Sequence, residues 1–150
     1  MPLSNLLVLT PVEGLAKAIQ LSVAPVFLLA GISGLLGVLS NRLARIIDRG
    51  RQLQEQTRDG TVAISREARQ ELQLQKRRMG LMLKAIELAT FTILLVALVV
   101  AIVFVSAVAR IDLALLVVPL FVLAMVCLMV AVVLFLREVQ IATDQIRRWF

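Results

Sequence analysis

The chain is 150 residues long, 60% hydrophobic and only 17% charged, with a mean hydropathy of +0.94. A soluble domain is typically about 45–50% apolar and about 25% charged. A domain of this length has too little interior to hide the excess, which excludes a disordered chain and argues against a soluble enzyme or DNA-binding domain. The net charge is +6, there is no histidine and no tyrosine, and one cysteine, Cys127, stands alone. An internal disulfide and a cysteine–histidine metal site within a monomer are therefore excluded, and the imidazole that Ser-His, Cys-His and zinc-hydrolase mechanisms need is missing. The ten acidic residues are scattered. No catalytic residue, cofactor or metal is expected, and the chain is read as not an enzyme.

In chain order, residues 1–17 form an external N-terminal arm. Leu6–Leu9 is apolar but too short to cross a bilayer, and with Pro11 and Gly14 behind it reads as an interfacial arm or a short docked helix. Charge follows the first long apolar stretch and hardly precedes it, the reverse of a cleaved signal peptide. That stretch, 18–39, holds 22 residues without a charge. As a helix it spans roughly 33 Å at 1.5 Å per residue, enough for a hydrocarbon core about 30 Å thick. It is richer in small residues than the later spans. Ala30–Gly34 and Ser33–Gly37 are small-xxx-small pairs, and Ala30, Gly34, Gly37 and Asn41 make one seam ending in an amide. The seam serves either packing inside the monomer or packing around an oligomer axis that lines a pore. Pro25 removes a backbone donor and is expected to bend or break the helix.

Residues 40–84 carry eleven Lys/Arg against five Asp/Glu. Arg42, Arg45 and Arg49 keep charge on neighbouring helical faces. This either anchors the span, with an Arg45–Asp48 pair worth tenths of a kcal/mol, or forms a vestibule for lipid phosphate or ions. Apolar positions Leu43, Ile46/Ile47, Gly50 and Leu53 on one arm face Ile64, Ala68, Leu72, Met79 and Met82 on the other, with polar Gln75 interrupting. Arg58-Asp59-Gly60-Thr61 signals a turn, and Ser65 is a candidate cap. The segment reads as an antiparallel helical hairpin, either a stalk burying its own seam or a docking surface.

The second span covers 85–109, with Leu88 to Ala109 uncharged. Glu87 is read as the only carboxylate close to a span, at the interface, where it is either in a structural ion pair with Lys84 or a functional intramembrane acid. Thr90, Thr92 and Ser106 are expected to bond carbonyls of their own helix. A turn, 110–112, follows, with Arg110 and Asp112 pairing or touching headgroups. The third span is 113–136, 24 uncharged residues. In the C-terminal helix, 137–150, Val139, Ala142, Ile146 and Trp149 form an apolar stripe that packs on the hairpin or lies on the membrane.

Fourteen basic residues fall in 40–84 and 137–150, and two, Lys17 and Arg110, fall on the other side. By the positive-inside rule the hairpin and C-terminus are cytoplasmic and the N-terminus is outside. The basic balance thus reflects topology, and with acids interleaved and no aromatic stacking set it gives no reason to expect nucleic acid. The fold class is all-α: a multi-pass membrane protein with three transmembrane helices and a long cytoplasmic antiparallel helical hairpin between the first and second spans.

The run from Ala18 to Gly31 (AIQLSVAPVFLLAG) and the run from Ser40 to Arg49 (SNRLARIIDR) resemble a bacterial family of integral membrane proteins known only as domain of unknown function 2721. The likeness covers about residues 15 to 145, and its most specific part is the alanine-proline followed by asparagine-arginine-leucine. The resemblance implies a small multi-pass protein of the bacterial cytoplasmic membrane and brings no catalytic residues. The expected partners are membrane lipids and further copies of the chain. The expected function is a symmetric homo-oligomer, as an extension an ion-conducting one. The alternative is an accessory or assembly subunit docked on a larger membrane complex.

Overall fold

The structure, a computed structural model, describes residues 11–58 and 66–150, apart from the side chains of Pro11, Thr57 and Trp149. Three α-helices account for nearly all of them: α1 (Pro11–Arg58), α2 (Arg66–Ala109) and α3 (Ala114–Trp149). With 48, 44 and 36 residues they are about 72, 66 and 54 Å long at 1.5 Å per residue. Each exceeds the thickness of a hydrocarbon core.

Residues 11–17 of the expected arm are helical and continuous with the first apolar stretch. The expected break at Pro25 does not occur: α1 is a single helix from Pro11 to Arg58. Proline withholds one N–H from the Leu21 carbonyl, and the remaining ladder of a 48-residue helix carries the chain through. Leu6–Leu9, Ile64 and the turn and cap residues Asp59, Gly60, Thr61 and Ser65 lie outside the described residues.

Helix α2 is the centre of the molecule and packs along both α1 and α3. Gly14 beside Ala107 and Arg49 beside Glu71 set the α1–α2 register. Thr92 beside Ala124 and Arg78 beside Glu138 set that of α2 and α3. The core joins Ile32, Leu39 and Ile46 of α1 to Met82, Ala85 and Ala89 of α2 and Ala131 of α3, and continues outward through Leu95, Val96 and Ala124. Ala85, Ala89, Ala124 and Ala131 are fully buried. Alanine at these contacts lets the backbones approach, so dispersion does the work that the hydrophobic effect cannot do in lipid. The bundle therefore closes on the alanines of α2 and α3, not on the glycines of α1.

The outer surface is apolar. Leu115 is 95% exposed, and Phe27, Leu94 and Val108 also point away from the bundle. Only 11–22% of the most apolar stretch of each helix is buried. In water such a surface would aggregate. All three helices are long and apolar enough to cross a membrane.

The α2–α3 link is held locally. Arg110 closes α2 at φ 56°, and Asp112 does not pair with it. The Asp112 carboxylate accepts the N–H of Ala114, the first residue of α3, at 3.0 Å. Ser22, Ser33, Thr90 and Thr92 donate to carbonyls four residues back, whereas Ser106 donates forward to the Ile111 carbonyl and ties the link to α2.

Candidate functional site: a buried carboxylate among arginines

The chemistry-bearing side chains gather where the uncharged stretches of α1 and α3 end. Arg42, Arg45 and Arg49 recur at three- and four-residue spacing and so share one side of α1. Gln75 and Arg78 do the same on α2. Glu138 comes from α3, seven residues after the core residue Ala131 and on the same face.

Glu138 is 1% exposed. Arg42 Nη1 donates to its Oε2 at 2.7 Å, and Arg78 donates to its Oε1 through Nη2 at 2.8 Å and Nε at 3.1 Å. Arg78 Nη1 also reaches Gln145 Oε1 at 3.3 Å. The Arg42 guanidinium lies 5.3 Å from the centre of the Phe135 ring, within cation–π range. One carboxylate thus clamps all three helices together. A buried carboxylate is tolerable only when charge and lone pairs are met, and two guanidiniums do both.

Beside this clamp lies a solvent-open cavity of about 190 Å³, lined by Arg42, Arg45, Ile46, Arg49, Gln75, Arg78 and Glu138. Arg49 approaches Glu71 at 3.7 Å, a loose contact between exposed groups. Arg45 and Asp48 do not pair, and among the described residues Arg45 has no partner. The Oε1 of Gln75 is buried without a hydrogen bond.

The expected seam is placed differently. Ala30, Ser33, Gly34, Gly37 and Asn41 are all exposed. A side-chain carbon added at Gly34 or Gly37 would meet nothing within 4 Å. Packing inside the monomer is therefore not what these residues do.

Glu87 is exposed and unpaired with Lys84, the less favourable helical order for such a pair. Helix register also moves it. At the spacing set by the contacts above, Glu87 lies level with Gly34 and Met129, roughly 7–10 Å inside the ends of the uncharged stretches of α1 and α3. On α2 itself Glu87 directly precedes the uncharged stretch that begins at Leu88.

A second carboxylate beside the end of an uncharged stretch is Glu138, which sequence reasoning passed over. Its signal was an acid two residues after Leu136, in an arginine-bearing tail, at seven-residue spacing from Ala131 and Gln145. The tail's packed face runs through Glu138, Ala142 and Gln145, while Ile146 of the expected stripe is 62% exposed. The bond from Arg78 to Gln145 shows that this last stretch of α3 packs on α2. Among the described residues no set of three acids or cysteines comes together to hold a metal ion.

Helices, outward apolar faces and a charged clamp at one end define an all-α chain of three membrane-length helices, compatible with a multi-pass membrane protein. The chain belongs to the family described as "Protein of unknown function (DUF2721)", whose model matches residues 22–148. No curated protein and no solved structure matches it.

Proposed function

We propose that this protein is a non-enzymatic, multi-pass protein of the bacterial cytoplasmic membrane that works as a symmetric homo-oligomer. The observation that carries the reading is the outward seam of α1. At 100° per residue Ala30, Gly34, Gly37 and Asn41 lie on the side of α1 opposite Ile32, Leu39 and Ile46, which pack on α2. Lipid gains little from small side chains, whereas a second helix gains close backbone approach. Glu87, outward at the height of Gly34, is a further group that a purely lipid surface serves badly.

The segment 40–84 and the C-terminus lie in the cytoplasm in this reading, supported by the distribution of basic residues. Three helices are too few to enclose a continuous aqueous path, and buried alanines fill the middle of the bundle. The functional extension is therefore an ion path between subunits, along the seam.

Mass determination in mild detergent tests the assembly. The wild-type chain should run as a defined oligomer, and Gly34→Leu should shift it to monomer. That variant is a clean probe because nothing in the monomer lies within 4 Å of the added carbon. An unchanged oligomer for Gly34→Leu overturns the seam. Ion flux in liposomes containing the purified oligomer supports conduction. A chain that is monomeric alone and co-purifies with a larger assembly supports the accessory-subunit reading instead.

A further inference from the structure

We infer that the cavity beside the Glu138 clamp is a binding site for a phosphate ester that carries a hydroxyl group, with the headgroup of phosphatidylglycerol as its membrane-borne form. This does not depend on self-association, since every residue involved belongs to one chain.

Four guanidiniums and one carboxylate line the cavity. Glu138 is already saturated by Arg42 and Arg78, so its charge is spent holding those two side chains in place. Arg45 is left without a partner among the described residues, and Arg49 has only the 3.7 Å approach to Glu71. A phosphate has the charge and the oxygen geometry that forked guanidinium donors match. The clamp also reduces the entropic cost of binding, because Arg42 and Arg78 are ordered before the ligand arrives.

Gln75 narrows the ligand further. Its side chain lines the same cavity, is 9% exposed, and leaves a buried Oε1 without a donor. An orphaned buried acceptor is costly, so such groups are normally met. Arginine donors meet phosphate oxygens, and rotation of the Gln75 amide into the cavity would present its Oε1 to a ligand hydroxyl. Depth favours a lipid source. Arg42 stands three residues past Leu39, and Glu138 two past Leu136, which is headgroup level if those stretches fill the hydrocarbon core.

The test uses the full chain in neutral detergent. Its melting temperature is followed while short-chain phosphatidylglycerol, phosphatidic acid, phosphatidylcholine, glycerol 1-phosphate or inorganic phosphate is titrated in. Phosphatidylglycerol should stabilise the wild type more than phosphatidic acid, and phosphatidylcholine should not stabilise it. Replacing both exposed arginines (Arg45→Gln with Arg49→Gln) should weaken phosphatidylglycerol binding about tenfold or more. Gln75→Leu should abolish the preference over phosphatidic acid. Arg147→Gln with Arg148→Gln, outside the cavity, should change nothing.

Stabilisation by phosphatidylglycerol alone assigns the site to lipid. Stabilisation by glycerol 1-phosphate, with no further gain from phosphatidylglycerol, assigns it to a soluble phosphate ester, and either result supports the site; inorganic phosphate acting as well as glycerol 1-phosphate overturns the role of the hydroxyl. Equal binding of phosphatidylglycerol and phosphatidic acid overturns the role of Gln75. No preference of the wild type for any phosphate probe over phosphatidylcholine, or an equal loss in the Arg147/Arg148 variant, overturns the site.

Discussion

Glu138 holds two arginines from two other helices, and its removal leaves Arg78, with a side chain 17% exposed, unpaired in the bundle. Glu138→Ala should therefore destabilise the protein by about 3 kcal/mol, the lower end of the range for breaking a buried pair, since Arg42 is half-exposed and regains water. Glu138→Gln keeps the shape and some acceptor capacity and should cost less than the alanine variant. Denaturation in detergent, followed by circular dichroism, ranks the two; equal stability of wild type and Glu138→Ala would remove the clamp from the account. Arg110 makes the opposite case. A left-handed conformation costs a side-chain-bearing residue about 1–2 kcal/mol, so Arg110→Gly should raise the melting temperature by the same measurement. Neither residue announces itself locally. Glu138 sits among charged neighbours that face water, and only the α2–α3 register turns it inward.

At the scale of the element, composition spoke clearly. Uncharged runs of 22, 22 and 24 residues are helices of membrane length, and the Glu-, Gln- and Arg-rich stretch after residue 65 is helical as its propensities require. Boundaries were harder. Helix α1 continues outward from the first apolar run through residues 11–17, and proline at position 25 fails to interrupt it, because a single lost hydrogen bond is small beside the rest of a long helix. Gly80 and Gly50 sit inside helices with open space where a side chain would go. Gly80→Ala and Gly50→Ala should each add about 0.5–1 kcal/mol of stability. A loss of stability or of oligomer size in Gly80→Ala would instead show that a second chain packs closely there.

For the molecule as a whole, the placement of charge predicts the side of the membrane. In the proposed topology a thiol introduced near Gly60, in a Cys127→Ser background, reacts with a membrane-impermeant reagent only after the cells are opened. Labelling of intact cells would reverse the orientation, and recovery of the chain in a detergent-free supernatant would end the membrane reading altogether. Hydrophobicity and charge are sums over a stretch of chain, and each residue contributes whatever its neighbours in space are. That is why the sequence by itself determined the helical class, the three spans and the family resemblance. Relative rotation and sliding of helices are different quantities, decided by which small side chains let two backbones approach. Only the tertiary structure could therefore turn the glycines of α1 outward, bring Glu87 level with Gly34, and set Glu138 between Arg42 and Arg78.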